Sequence, residues 1–282
     1  MRISTNAKWM FVFLVIAIIG GVLSTVLQAL GMQFFPSILS MVVLLALIVL
    51  LALHSKWQLG GKRAIGFFLL AGVLGFSFEV WGLKGGTFFG GHYVYNGNVT
   101  KFLGVPYFIP IYWAVFIYTA YSISNSFLTW LGLRRPRKSS SRLATYILLV
   151  MLDGTLNVFL DLIMDPVKVK EGSWTWLTHG QYFGIPIGNF VGWFIVTVLA
   201  TGVFRLYEYY RPPKARSDAY LLLLSLVGYC LLGLGFVVSA AIYAMYSVSG
   251  IGIVLIVSIT TANIILFLKK IREINYMKIK LR

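Results

Sequence analysis

The sequence predicts an all-α fold, a polytopic transmembrane helix bundle of about eight spans, and three observations predict it. Of the 282 residues, 59% are hydrophobic and only 11% are charged, with a mean hydropathy of +0.85. A soluble domain normally carries about 25% charged residues. Apolar stretches of roughly 20 residues, the length that crosses a bilayer core, recur along the chain. Lys and Arg gather in alternate loops, as the positive-inside rule describes.

The first span is read at 9–28. Lys8 before an apolar run gives it a signal-peptide flavour, but the run is about 20 residues long and lacks a small-x-small cleavage pattern, so it stays as a membrane helix. Further spans follow at 36–54, 64–83, 106–131, 143–165 and 185–204. The last two, 219–246 and 248–268, are the hardest to separate. With the N-terminus cytoplasmic, 20 of the 24 Lys and Arg fall on the inside and 4 on the outside. Both termini are then cytoplasmic, Arg205 and Glu208 lie in an inner loop, and His54 lies on the inner side.

The formal net charge of +16 has its explanation in this placement, which argues against a nucleic-acid partner. Basic runs such as 134–138 and 269–272 read as topology signals and contacts for anionic membrane lipids. No Pro/Ser-rich linker divides the chain, so 1–282 reads as a single transmembrane domain ending in a basic cytoplasmic tail, 269–282. Cys230 is the lone cysteine, which rules out an intrachain disulfide and a Cys metal cluster.

Two outer segments echo each other. "GVPYFIPIYW" (104–113) and "GIPIGNFVGW" (184–193) share Gly-[Val/Ile]-Pro-x6-Trp, and each follows a loop rich in Gly and aromatics with one His. A parallel repeat of spans 3–4 and 5–6 is one reading. Pro106 and Pro186 suit the first turn of a helix.

The chemistry concentrates in "DGTLNVFLDLIMDP" (153–166). Asp153, Asn157, Asp161 and Asp165 recur every four residues, so they form a slanting polar stripe on one helix. An Asp at a membrane-helix centre costs on the order of 2.5–3.5 kcal/mol, and intramembrane acids are functional candidates by default. Glu79 ends span 3 at a similar depth to Asp161 and Asp165. Asp153 and Asn157, beside Gly154, read as the packing half of the stripe. Glu79, Asp161 and Asp165 read as the chemical half, because a carboxyl in a dry site can keep its proton and serve as a general acid.

Three chemistries compete for these acids. The N-x3-D-x3-D run at 157–165 is reminiscent of Mg²⁺-dependent intramembrane prenyltransferases, yet no second Asp-rich run accompanies it. Proton-coupled transport also uses membrane acids but wants a polar path through both halves of the bilayer. Acid–base chemistry on an apolar substrate fits better. The acids are flanked by Trp81, Phe88, Tyr93, Tyr95, Trp113, Trp174, Trp176 and Trp193 among others, and aromatic faces stabilise a carbocation made by protonating an alkene. His92 and His179 sit in the outer loops, but no H-x3-H or H-x2-E spacing supports a metal site.

The stretch 161–193 resembles the carotenoid biosynthesis membrane proteins that include the bisanhydrobacterioruberin hydratases and related carotenoid hydratases. The family pattern D-x3-D-P, W-x-W, Y-[Y/F]-G-[I/V]-P and N-F-x-G-W is met by Asp161/Asp165/Pro166, Trp174/Trp176, Tyr182–Pro186 and Asn189/Phe190/Gly192/Trp193. Upstream, 79–113 is similar to the family's E-x2-G, F-G-x-Y-x-Y and G-V-P segments. Phe89-Gly90-Gly91-His92-Tyr93 is one residue longer than the F-G-x-Y expected, which brings in His92.

The resemblance implies addition of water across the terminal C=C of a linear C40 or C50 carotenoid, giving a tertiary alcohol without metal or redox cofactor. It implies Asp161 or Glu79 as proton donor and Asp165 as water-orienting base. Tyr93, Trp113, Trp176, Tyr182 and Trp193 would line the end-group pocket, with Asn189 as a hydrogen-bonding support. The implied partners are a lipophilic carotenoid, water, membrane lipids and other enzymes of the carotenoid pathway.

Overall fold

The computed structural model describes residues 5–30, 32, 34–131, 139–211 and 219–280. The basic run 134–138 lies outside them. Eight helices appear among the described residues: α1 Thr5–Ala29, α2 Phe34–Leu59, α3 Gly61–Gly85, α4 Ile109–Trp130, α5 Ser139–Lys170, α6 Ile187–Tyr210, α7 Ala219–Ile242 and α8 Tyr246–Lys280. All but α4 are long and apolar enough to cross a membrane, which makes the chain an integral membrane protein. With 22 residues α4 has the length, about 33 Å, but buried Thr119, Ser122, Ser124 and Ser126 interrupt its apolar run. The stretch 219–268 resolves into α7 and α8, parted at Tyr243–Met245, where Ala244 has φ +57°. Beyond 268 the basic tail continues α8 to Lys280, helped by the Lys270–Glu273 pair one turn apart.

The chain forms two compact units. One comprises Met1–Gly66 with Ala215–Leu221. In it α1 packs on α2, so closely that a Cβ at Gly20 would come 2.8 Å from Val43 Cγ2. His54, expected at the inner surface, is instead buried in α2 with Nε2 3.0 Å from the Leu221 carbonyl.

The other unit, Phe67–Lys214 with Leu222–Arg282, is built around α5, which packs on α4, α6 and α8. Ile163 and Val167 of α5 join Val237, Ala240, Val248 and Ile256 of α7 and α8 in one apolar core. The sequence reading ends the span at Asp165, yet α5 continues through Pro166 and one turn further to Lys170. Pro166 lacks the N–H that would bond the Leu162 carbonyl. Tyr182 Oη takes that place, donating to Leu162 O at 3.0 Å.

Two short two-stranded sheets lie between helices. β2 (Lys101–Phe102) and β3 (Val105–Pro106) form a hairpin whose turn residues, Leu103 and Gly104, both have positive φ, +51° and +87°. That is the pattern of a tight two-residue hairpin turn. Pro106 therefore pairs with Lys101 in a strand instead of opening a helix, and Pro110 occupies the first turn of α4. Pro186 is the residue that caps α6. The two Gly-x-Pro-x6-Trp segments thus have different backbones, so the structure lends no support to a repeat.

The other sheet pairs β1 (Tyr93–Tyr95) with β4 (Trp174–Trp176), antiparallel, with Tyr93 opposite Trp176 and Tyr95 opposite Trp174. Side chains alternate along a strand, so these four aromatics share one face while Val94 and Thr175 face away, exposed. The loops that carry the two strands come from distant parts of the sequence, and together they cap one end of α3, α5 and α6.

Candidate active site

Under that cap, Glu79 of α3 and Asp161 and Asp165 of α5 line one cavity of about 40 Å³. All three carboxyls are buried. The period of four turns Asp161 and Asp165 to the same side of α5, and the face that holds them packs on α6.

Glu79 is held by three donors. Tyr93 Oη and Tyr95 Oη both donate to Oε2, at 2.6 and 2.7 Å, and Trp113 Nε1 donates to Oε1 at 3.0 Å. Burial first, then the neighbouring Glu79 charge, pushes both phenols well above the ordinary tyrosine range, so they remain O–H donors. Asp165 also receives a donor on each oxygen: Trp174 Nε1 reaches Oδ1 at 2.5 Å and Asn189 Nδ2 reaches Oδ2 at 2.9 Å. The same Asn189 amide donates to Asp161 Oδ2 at 2.8 Å. Asp161 Oδ1 alone among these oxygens is buried with no hydrogen-bond partner.

Donors on both oxygens of Glu79 and Asp165 favour their carboxylate forms. Asp161 differs, because its free oxygen can carry an O–H into the cavity. Three carboxyl groups meet here, and among the described residues no Lys, Arg or His lines the cavity. A buried site of that kind favours one neutral member.

The remaining wall is aromatic and apolar. Trp113 and Trp193 stack with ring centroids 4.1 Å apart, and Phe89, Ile109, Tyr112 and Met164 complete the lining. Glycine makes this packing possible. A Cβ at Gly75 would lie 2.2 Å from Trp113 Cγ, and one at Gly192 would lie 2.4 Å from Phe89 Cδ1. Gly90, at φ +78°, approaches Gly188 backbone to backbone, so that a Cβ on Gly188 would meet Gly90 Cα at 2.5 Å. This contact seats the first loop on the start of α6.

Of the residues singled out from sequence, Glu79, Asp161, Asp165, Tyr93, Trp113, Trp176, Asn189 and Trp193 line the cavity together. Tyr182 does not; it supports α5 at Leu162, packs on Phe190 at 5.1 Å between centroids, and has its phenol pushed up to about 12, chiefly by burial. His92 and His179 are exposed and lie outside the lining. Among the described residues no three His, Cys, Asp or Glu side chains are arranged to hold a metal ion. Tyr95 and Trp174, read from sequence only as flanking aromatics, hold Glu79 and Asp165 directly. Their signal was the alternation Y-x-Y and W-x-W, which marks strands with one inward face.

Below the cavity the stripe of α5 meets a second stripe on α6. Asn157 Nδ2 donates to Thr197 Oγ1 at 2.6 Å. Arg205, which the sequence reading put in an inner loop, is buried within α6 and pairs with Asp153 through Nε to Oδ2 at 2.7 Å and Nη2 to Oδ1 at 2.8 Å. Ser124 and Asn125 bond the same guanidinium, and its plane lies over Tyr121, whose hydroxyl donates to Glu208 at 2.8 Å. Asp153 is thus an ion-pair partner, which no residue near it in sequence announces.

A family model described as carotenoid biosynthesis protein matches residues 37–259. The chain belongs to the carotenoid biosynthesis protein family. The match spans every residue of the cavity, from Glu79 to Trp193, and membership assigns the protein to carotenoid biosynthesis. No curated protein and no solved structure matches the chain.

Proposed function

We propose that this family member is a membrane carotenoid hydratase, which adds water across the terminal C=C of a linear carotenoid end group. The observation that carries this reading is Asp161 Oδ1, a buried carboxyl oxygen free of hydrogen bonds at a cavity walled by aromatic faces. Asp161 in its neutral form donates its proton to the less substituted alkene carbon, and the positive charge develops on the tertiary carbon. Trp113, Trp193 and Phe89 offer π-faces to that cation, and the anionic Glu79 and Asp165 favour it electrostatically. Water adds to the tertiary carbon as its proton passes to Asp165. Return of that proton to Asp161, beside it on the Asn189 amide, completes the cycle.

A water needs about 10–15 Å³ of such space, so a cavity of about 40 Å³ has room for a few waters. Charge bias along the sequence supports a cell-membrane location with both termini cytoplasmic and the cavity toward the outer face.

The test is pigment analysis in a host that accumulates acyclic carotenoids. Wild type should convert the pigment to a more polar product heavier by one water per processed end. Asp161→Asn should lower conversion by about 10²-fold or more, the usual range for a general acid. Unchanged pigment with wild type would sink the hydratase for that substrate, and an equally active Asp161→Asn would remove Asp161 from the mechanism.

A further inference from the structure

The cavity contains two buried polar atoms without hydrogen-bond partners, and they differ in kind. Asp161 Oδ1 can give a proton or accept a bond, whereas Trp176 Nε1 can only donate. Trp176 sits on β4 opposite Tyr93, with ring centroids 4.8 Å apart. Its N–H is close enough to Asp165 to act on the carboxyl, yet it meets no acceptor at full hydrogen-bond geometry. The neighbouring indole on the same face, Trp174, does complete one, to Asp165 Oδ1. A buried N–H left unpaired is costly, and the cavity beside it carries three carboxyls and is large enough for water.

We infer that the cavity contains a water-binding site in which Trp176 Nε1–H donates to the water oxygen and the water donates to Asp165, making Trp176 the positioning residue for the reacting water. This rests on the hydratase reading. Each Asp165 oxygen already accepts one bond and retains a lone pair, so the carboxylate can take the water's hydrogen without releasing Trp174 or Asn189. Asp161 Oδ1 then remains free for the alkene, and the two unpartnered atoms serve two different reactants.

The placement has a chemical consequence. A tertiary cation next to a carboxylate has two fates. It captures water, forming a C–O bond while the water's proton goes to Asp165. Alternatively it loses a C–H proton to the same base and returns as the original or a shifted alkene, with no water gained. Both fates restore one proton to the protein; only the first gives an alcohol. Water held on Trp176 favours capture.

The experiment uses the full chain in membranes with an acyclic C40 carotene in D₂O, and compares wild type with Trp176→Phe by mass spectrometry. Phe keeps an aromatic ring against Tyr93 and removes the N–H together with the pyrrole half of the indole, and Trp176→His separates loss of the N–H from loss of ring volume. Wild type should yield the alcohol with one carbon-bound deuterium. Trp176→Phe should still place deuterium in the carotene, yet raise the ratio of deuterated, unhydrated carotene to alcohol about tenfold, the effect of one lost hydrogen bond. Trp176→His, which again offers a ring N–H, should recover part of the alcohol. A wild-type ratio in Trp176→Phe, or equal loss of exchange and hydration in both variants, would overturn the water site. Wild type that gives neither alcohol nor exchange would overturn the hydratase reading itself.

Discussion

Trp113 of α4 and Trp193 of α6 stack with their ring centroids 4.1 Å apart and their planes 26° apart, and the Trp113 N–H lies 3.0 Å from Glu79 Oε1. One indole therefore joins the aromatic wall of the cavity to its acids. Replacement by Phe separates these two roles. Trp113→Phe should keep the stack and remove one of three donors to Glu79. Hydration should fall about tenfold, in line with one hydrogen bond to a charged group, with a smaller effect on carotenoid binding. Comparing turnover with substrate affinity in reconstituted membranes checks this.

The same stack depends on Gly75. A Cβ placed there would sit 2.2 Å from Trp113 Cγ and 2.5 Å from its Cβ, closer than any packing allows. Gly75→Ala should push Trp113 off Trp193 and cost about 1–3 kcal/mol, as overpacking does in well-packed interiors. A lower midpoint of thermal unfolding in detergent, together with a blue- or red-shifted tryptophan emission, is the expected outcome. A variant as stable as wild type would show that α3 and α4 can part at little cost.

The Asp153–Arg205 pair, with its side chains 0% and 4% exposed, makes a sharper stability prediction. Removing one charge from a buried pair typically costs about 3–5 kcal/mol, because the other is left unpaired, while replacing both by apolar residues costs far less. Arg205→Met should therefore destabilise strongly, and Asp153→Leu with Arg205→Met should recover much of the loss. Unfolding by SDS titration of the two variants measures the difference.

Alkaline pH should weaken the cap. Tyr93 and Tyr95 have folded-state pKa values raised above the ordinary tyrosine value of about 10 by burial and by Glu79. Their stabilising contribution is complete below about pH 10, where the phenols are protonated folded or unfolded. Above it the unfolded chain binds fewer protons, so stability falls as pH rises. Melting temperature against pH should drop above about 10 in wild type. The slope should be shallower in Tyr93→Phe with Tyr95→Phe, and a slope equal to wild type would count against the two phenols as its source.

The helices and the acids were legible in sequence because each signal is local. A run of apolar residues must become a helix in lipid, where every backbone N–H and C=O has to be paired within the segment. An Asp every four residues must fall along one side of that helix. Span order, the cluster of Glu79, Asp161 and Asp165, and the family resemblance all follow from such short-range patterns. The end of span 5, read at 165, lies further on for a long-range reason: Tyr182 from a later loop bonds the carbonyl that Pro166 leaves free.

Tertiary structure decided what depended on partners far apart in the chain. Arg205 reads as a loop cation until α6 is laid against α5 and Asp153 stands opposite it, 52 residues away in sequence. Tyr95 and Trp174 read as flanking aromatics in the sequence, and only the β1–β4 pairing brings them together over the acids. The sequence left Asp161 and Glu79 as alternative proton donors, and their surroundings differ: three donors on Glu79, one on each oxygen of Asp165, and none on Asp161 Oδ1. Hydrogen bonding is directional and short-ranged, so which acid keeps a free oxygen is fixed by side chains from α4, α6 and both strands meeting at one place.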